Sequence, residues 1–165
     1  MINDPANLNE LDSTPAGCPP QIRPHHLKKA AVVYLRQSSP DQVRENIGST
    51  ETQRALADLA RAWGFPEHLI WIVDDDLGRS GTSIHDRPGF QKIISWIDDG
   101  KVSLVLVYDI SRLSRDPFGA ELFLRHARRA GVLIYSDGRI FDTATKDLME
   151  LLRLRMQNLI VWFEN

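Results

Sequence analysis

Short apolar runs and helical stripes alternate along the chain from residue 30 onward. Four runs of mostly β-branched residues, at 30–35, 70–74, 102–108 and 132–136, predict buried parallel strands. Apolar residues at the i, i+3, i+4, i+7 spacing predict helices around residues 56–63 and 90–97, and a third helix is predicted over 117–130. This alternation predicts an α/β domain, with a mostly parallel sheet of four to five strands flanked by helices.

The two ends of the chain do not follow this alternation. Residues 1–29 hold five of the nine prolines and few clustered aliphatic residues, which predicts a disordered amino-terminal arm. Residues 143–165 carry apolar side chains on more than one side of a helix about 34 Å long. That pattern is typical either of a core helix or, the interpretation we favour, of a helix that packs against another subunit. Because the chain stops within this pattern, we expect it to belong to a longer protein.

Composition and charge limit the classes of function. The chain has 165 residues and 42% hydrophobic side chains, enough for one domain with a core. It has neither a secretory signal nor an apolar stretch of about 18 residues, so we expect a soluble, cytoplasmic protein that does not enter membranes. The net charge of -2 argues against a broad basic face that holds DNA by itself. Cys18 has no disulfide partner and the histidines lack zinc spacing, so we expect no metal or cofactor.

Arginines and serines gather at the points where the predicted strands end. The stretch "RQSS" supplies Arg36, Ser38 and Ser39 directly after the first strand. The carboxyl ends of parallel strands meet at one edge of a sheet, which would bring the loops after the next two strands beside these serines. Guanidinium groups bind phosphate bidentately, and a serine hydroxyl attacks phosphorus only in such an activating environment. The loop arginines that would complete this anionic site are Arg79, Arg87, Arg112 and Arg115.

Four motifs in this order carry a family resemblance: "YLRQSS", "ETQRALADLA", "DLGRSGTS" with "DRPGF", and "SRLSRD". Together they resemble the catalytic domain of the resolvase/invertase family, the serine site-specific recombinases, over roughly residues 30–165. The resemblance implies a catalytic domain at 30–142 and the start of a long oligomerisation helix at 143–165. It also implies DNA as partner, bound mainly by a region beyond this chain, and self-association into a dimer and a synaptic tetramer. A nucleoid-associated protein of bacterial or phage origin is expected.

The resemblance also assigns the reaction and its residues. It places the nucleophile at Ser38, whose hydroxyl would attack a DNA phosphodiester and keep the 5' phosphate as a phosphoserine. Strand exchange and rejoining would then complete recombination without a cofactor. The side chains expected around the scissile phosphate are Arg36, Arg87, Arg112, Arg115 and Gln53.

Some of these assignments have alternatives. Ser39 is a second candidate for the attacking hydroxyl, and Gln53 is equally explained as the partner of Thr50 in a helix capping box. The family usually has aspartate where this chain has Ser111, so the group that accepts the serine proton is not assigned. Asp109, two residues earlier, is a possible substitute.

Two other classes of function are also compatible with the sequence. Ser111 would fit a non-catalytic regulator or assembly module derived from a recombinase. The acidic run Asp74, Asp75 and Asp76 would fit a metal-dependent phosphotransfer domain, although most such runs are solvated.

Overall fold

The computed structural model describes residues 13–35, 46–76, 86–110, 113 and 117–145. Five strands form one sheet in the order β2, β1, β3, β4, β5, and β1 to β4 are parallel while β5 runs antiparallel to β4. The strands are β1 Ala30–Tyr34, β2 Ile70–Val73, β3 Val102–Leu106, β4 Leu133–Ser136 and β5 Arg139–Asp142. The α-helices are α1 Asn46–Ala62, α2 Pro88–Asp98 and α3 Pro117–Ala130.

Helices cover the sheet on both faces, which explains the nearly continuous apolar strands. In β1, Val32 and Tyr34 point into one core with α2 and α3, while Ala31 and Val33 point into a second core with α1. All five residues of β1 and of β3 are buried. The central strands are therefore fixed from both sides, and their carboxyl ends provide a rigid edge for the loops that follow.

The predicted α/β class, the four parallel strands and the helices around residues 90–97 and 117–130 are confirmed. Two local predictions differ from the structure. The capping box at Thr50 is wrong, because α1 begins at Asn46 and Thr50 lies inside the helix. The location of the fifth strand was not predicted; it follows a two-residue turn at Asp137 and Gly138, both with positive φ, as tight hairpins require.

The amino-terminal segment differs most from its prediction. Residues 1–12 lie outside the described residues, but residues 13–29 pack on the domain rather than forming a disordered arm. A 3-10 helix spans Pro24–Lys28, and Ile22 is buried in the core beside α1. The Ser103 hydroxyl in β3 donates a 2.7 Å hydrogen bond to the His26 carbonyl. Pro15 and Leu27 contact the turn at Gly64, where a Cβ atom would lie 2.8 Å from Pro15. Single apolar residues of this segment thus pack against the domain without the periodic spacing that predicts a helix or a strand.

Ile22→Ala is expected to lower the free energy of unfolding by about 2–4 kcal/mol, since the side chain is 2% exposed in a packed core. Chemical denaturation measures this difference. The neighbouring Gln21 is exposed, so Gln21→Ala serves as the control and should change stability by less than about 0.5 kcal/mol. Equal stabilities for both variants would contradict the docking of this segment.

The predicted oligomerisation helix falls almost wholly outside the described residues, which end at residue 145. Residues 143–145 form a turn after β5. Among the described helices, none combines the length and the apolar character needed to cross a membrane.

Candidate active site

The candidate site lies at the carboxyl edge of the parallel strands. The chain leaves β1 at Leu35, whose amide donates to the carbonyl of Val73 at the end of β2. Leu35, the last described residue before Arg36 in the sequence, therefore lies between the ends of β2 and β3. Of the six predicted site residues, Gln53 and Arg87 are described, whereas Arg36, Ser38, Arg112 and Arg115 lie outside the described residues. So do Ser39, Ser111 and Arg79.

A fully buried carboxylate, Asp76, lies just beyond the end of β2. It accepts hydrogen bonds from the amides of Gly89 and Phe90, at 2.7 and 2.8 Å, and so caps the first turn of α2. The Tyr34 hydroxyl donates to the same carboxylate at 2.5 Å. Helix amino termini carry unpaired amides that need hydrogen-bond acceptors, and the Asp76 side chain provides one. Asp76 therefore ties β1, the loop after β2 and α2 together.

Arg87 is equally buried, with 1% of its surface exposed. One terminal nitrogen donates to the Tyr34 hydroxyl at 2.9 Å and to the backbone carbonyl of Leu113. Its Nε lies 4.0 Å from Asp76, and its guanidinium carbon lies 4.1 Å from the centroid of the Phe90 ring. Within the described residues, this Nε is the one buried side-chain nitrogen or oxygen without a hydrogen-bond partner. The structure thus places Arg87 in a buried cluster, where its charge faces a carboxylate and an aromatic ring.

The motif "DRPGF" now has a structural explanation. Arg87 is the residue before α2 and provides no side-chain cap, while Pro88 occupies the first helical position. A Cβ atom on Gly89 would lie 2.9 Å from Val73 and 3.0 Å from the Asp76 carboxylate. Only glycine lets the carboxylate approach the helix amides so closely. Phe90 is fully buried and supplies the ring beside Arg87.

The cluster fixes the proton on Tyr34. Burial raises the pKa of the Tyr34 hydroxyl far above its ordinary value, and the hydrogen bond to Asp76 raises it further, while the Arg87 cation opposes both effects. The hydroxyl therefore stays protonated, donates to Asp76 and accepts from Arg87. Because its donor and acceptor roles are fixed, the Tyr34 hydroxyl orients the Arg87 guanidinium and does not exchange protons with a substrate.

The hydrogen bond to Leu113 connects this cluster to the predicted arginine pair. Leu113 is buried and stands between Arg112 and Arg115 in the chain. Its amide donates to the carbonyl of Ile110, and its carbonyl accepts from Arg87. The backbone at Leu113 is therefore held from the protein interior. We define Tyr34, Asp76, Arg87 and the Leu113 carbonyl as the buried cluster.

Two further candidate residues are among those described. Gln53 is half-buried on α1, and Asp109 is half-buried just after β3. An open cavity of about 500 Å³ lies between α1 and the ends of β3 and β4, lined in part by Glu51, Tyr108 and Asp137. Its carboxylates would repel a phosphodiester, so the cavity is not where a DNA backbone would bind.

The structure also bears on the acidic run as a metal site. The Asp76 carboxylate is occupied by two amides and a hydroxyl, and Asp75 pairs with Lys92 at 2.6 Å. No group of three metal-ligating side chains occurs in the part of the chain that the structure describes. Two of the three carboxylates therefore have partners within the protein.

Sequence reasoning did not identify Tyr34 and Asp76 as parts of the site. Tyr34 was one more apolar position in a strand, and Asp76 was one of three acidic residues in a loop. A signal was present, since α2 begins after an arginine that cannot cap it, and its first amides need an acceptor from elsewhere in the chain.

The fold and this edge define a class of protein: an α/β domain whose functional loops follow the carboxyl ends of parallel strands. The chain belongs to the family described as Resolvase, N terminal domain, whose profile matches residues 31–164. A curated relative, the uncharacterized protein y4bA/y4pH of Sinorhizobium fredii (strain NBRC 101917 / NGR234), is 40% identical over 119 residues. The match covers 72% of this chain and 17% of the relative.

Solved structures of recombinases share the fold. The N-terminal catalytic domain of TP901-1 integrase is 27% identical, with a TM-score of 0.58, and the match covers 82% of this chain and 96% of that one. A resolvase family site-specific recombinase from Streptococcus pneumoniae is 25% identical, with a TM-score of 0.56 and coverages of 83% and 94%. The family, the α/β class and the predicted resemblance to serine recombinases are thereby confirmed.

Proposed function

We propose that the chain is the catalytic domain of a serine recombinase, which cuts and rejoins DNA at specific sites through Ser38. The observation that carries the proposal is the family match over residues 31–164, together with the likeness to solved recombinase catalytic domains. The order of the chain supports it, because Ser38 follows the interior strand β1 in the sequence, and such α/β domains bind ligands beyond the carboxyl ends of their strands.

The proposed reaction is a pair of transesterifications. The Ser38 hydroxyl attacks a backbone phosphorus and loses its proton, and the 3' oxygen leaves with a proton as a free hydroxyl. The 5' phosphate remains as a phosphoserine ester. After strand exchange, a 3' hydroxyl attacks this ester and releases the serine, so the number of phosphodiester bonds is unchanged. No external energy source is required, because the ester retains the bond energy.

The arginines would stabilise this reaction electrostatically. Arg36, Arg112 and Arg115 would donate to the non-bridging oxygens, where negative charge increases during attack. Arg87 contributes differently, since its guanidinium is directed at the Leu113 carbonyl and the Tyr34 hydroxyl. We assign it, with Tyr34 and Asp76, a positioning role behind the arginine pair.

The partners follow from the same proposal. DNA would be bound mainly by a region beyond this chain, in agreement with the net charge of -2. Copies of the chain would associate as a dimer on one site and as a tetramer when two sites meet, through the apolar residues of segment 143–165.

Covalent trapping tests the proposed function. The full-length protein is incubated with supercoiled DNA that carries the ends of the element encoding it, in the presence of a chelator. The reaction is quenched with denaturant and analysed for a protein–DNA adduct. We expect an adduct that forms without metal and is lost in Ser38→Ala, because alanine has no hydroxyl to attack phosphorus.

The adjacent serine provides the matched control. Ser39→Ala should retain the adduct, and an adduct lost in this variant alone would reassign the nucleophile. Firm DNA binding without any adduct in the unmodified protein would instead support the non-catalytic assembly module.

A further inference from the structure

The edge of the sheet opposite the candidate site collects exposed cations. Here the strands begin, and the chain enters them from the amino-terminal segment, from the end of α2 and from the end of α3. We define the amino-edge patch by the six lysines and arginines at these entries, all of them exposed: Arg23, Lys28, Lys29, Lys101, Arg128 and Arg129.

Hydrogen bonds bring these entries together. The Ala30 amide, next to Lys29, donates to the carbonyl of Lys101 at 2.8 Å. The Val132 amide donates to the carbonyl of Ala127, which turns the last residues of α3 into β4. Since β1, β3 and β4 are adjacent, the patch spans two strand spacings, about 10 Å, at the level of the backbone.

The patch carries an excess of positive charge on a chain whose net charge is -2. Among the described residues, three carboxylates lie at the same edge: Asp99, 3.6 Å from Lys101; Asp98, paired with His126; and Asp142 at the end of β5. Arg61, near the start of β2, is not counted in the patch, because it forms ion pairs with both Asp58 and Glu67. At this edge, the lysines and arginines of the described residues are therefore concentrated at the entries of three neighbouring strands.

His26 adds little to this charge at neutral pH. Burial lowers the pKa of His26, as does the nearby His25, and its Nδ1 accepts a 2.8 Å hydrogen bond from the Arg23 amide. A ring that accepts at Nδ1 is not protonated there. The excess positive charge thus comes from lysine and arginine, which keep their charge throughout the physiological range.

We infer that the amino-edge patch binds the phosphate backbone of duplex DNA, at a place separate from the strand that is cut. This inference rests on the proposed function for the identity of the polyanion. The three strand entries lie within about 10 Å of one another at the backbone, so their long cationic side chains can contact one stretch of duplex backbone.

The patch would bind a stretch of duplex other than the one that is cut. Five residues of β1 separate the patch from the candidate site, about 17 Å along the strand. The DNA that is cut lies at the carboxyl edge, so the patch would bind flanking DNA or a neighbouring duplex. Three of the six cations precede residue 31, where the family match begins, so half of the patch comes from the additional amino-terminal segment.

Salt-dependent binding tests the inference. The affinity of the chain for a short duplex of unrelated sequence is measured at several salt concentrations, for the unmodified chain and for Lys28→Gln/Lys29→Gln/Lys101→Gln. We expect the triple variant to bind about ten-fold more weakly or worse at low salt. The slope of log affinity against log salt should fall by about 0.9 for each phosphate that the variant no longer neutralises.

A matched variant controls for net charge. Arg54→Gln/Arg61→Gln/Lys92→Gln removes three exposed cations from α1 and α2, outside the patch, and should retain the affinity and slope of the unmodified chain. Unchanged binding in the patch variant, or an equal loss in both variants, would overturn the inference. Thermal unfolding confirms that each variant is folded.

The two proposals fail separately. An adduct that forms in the full-length protein while patch substitutions leave DNA affinity unchanged would overturn the patch alone. Absence of the adduct, with patch-dependent binding intact, would overturn the serine mechanism and leave the duplex-binding surface in place.

Discussion

Asp76→Ala is expected to lower the free energy of unfolding by about 3–5 kcal/mol, because it leaves a buried cation without its counter-charge. Asp76 is fully buried, faces Arg87 and accepts from Tyr34 and from the first amides of α2. Without the carboxylate, two buried amides lose their acceptor, and each such loss is itself costly. Denaturant titration of the chain in the absence of DNA measures the difference.

The adjacent aspartate gives a control with the same change of charge. Asp75 is exposed and pairs with Lys92 on the surface, so Asp75→Ala should cost about 1 kcal/mol or less. Similar stabilities for the two variants would mean that the buried cluster does not hold the edge together. Asp76→Asn should lie between them, since an amide can accept a hydrogen bond but provides no charge to balance Arg87.

The regular part of the fold was predictable because its signals are local. The four parallel strands are short apolar runs, and α2 places Phe90, Ile93 and Ile97 on one buried side, so pattern and burial agree. The strand β5 has weaker signals: it is short, half-exposed and at the sheet edge, and it depends on pairing with β4. The segment 13–29 depends on single contacts such as that of Ile22, which have no period.

The sequence predicted a location for the candidate site, but not the contacts of the buried cluster. The order of strands and loops indicated the carboxyl edge, and the family resemblance indicated which side chains belong there. The hydrogen bonds of Asp76 join residues 13, 14 and 42 positions apart in the chain, a set that no local pattern reports. An acidic residue in a loop is usually solvated, and only its partners in the fold distinguish Asp76 from its two neighbours.

Sequence and structure suggest different roles for Arg87, and a substitution at this position tells them apart. The resemblance places Arg87 among the phosphate-binding arginines, and the structure places its guanidinium against Tyr34 and the Leu113 carbonyl. Arg87→Met is expected to cost about 3–5 kcal/mol of stability in the absence of DNA, because a buried carboxylate loses its cation. Arg125→Met, at an exposed position on α3, is the control and should change stability by less than about 1 kcal/mol.

The alternative outcome is equally specific. If Arg87 acted only on a bound phosphate, Arg87→Met would leave the stability of the free protein nearly unchanged and reduce DNA cleavage alone. That result would exclude the positioning role, since a residue that holds the backbone at Leu113 must stabilise the domain before any DNA is present.

A double substitution separates the charge pair from the packing around it. Asp76→Asn/Arg87→Met removes both buried charges. We therefore expect its loss of unfolding free energy to be smaller, by at least about 1 kcal/mol, than the summed losses of the two single variants. Additive losses would indicate that the two side chains act independently, despite their 4.0 Å separation. If Arg87 has the proposed positioning role, cleavage should remain low in the double variant even where stability recovers, because no guanidinium then donates to the Leu113 carbonyl.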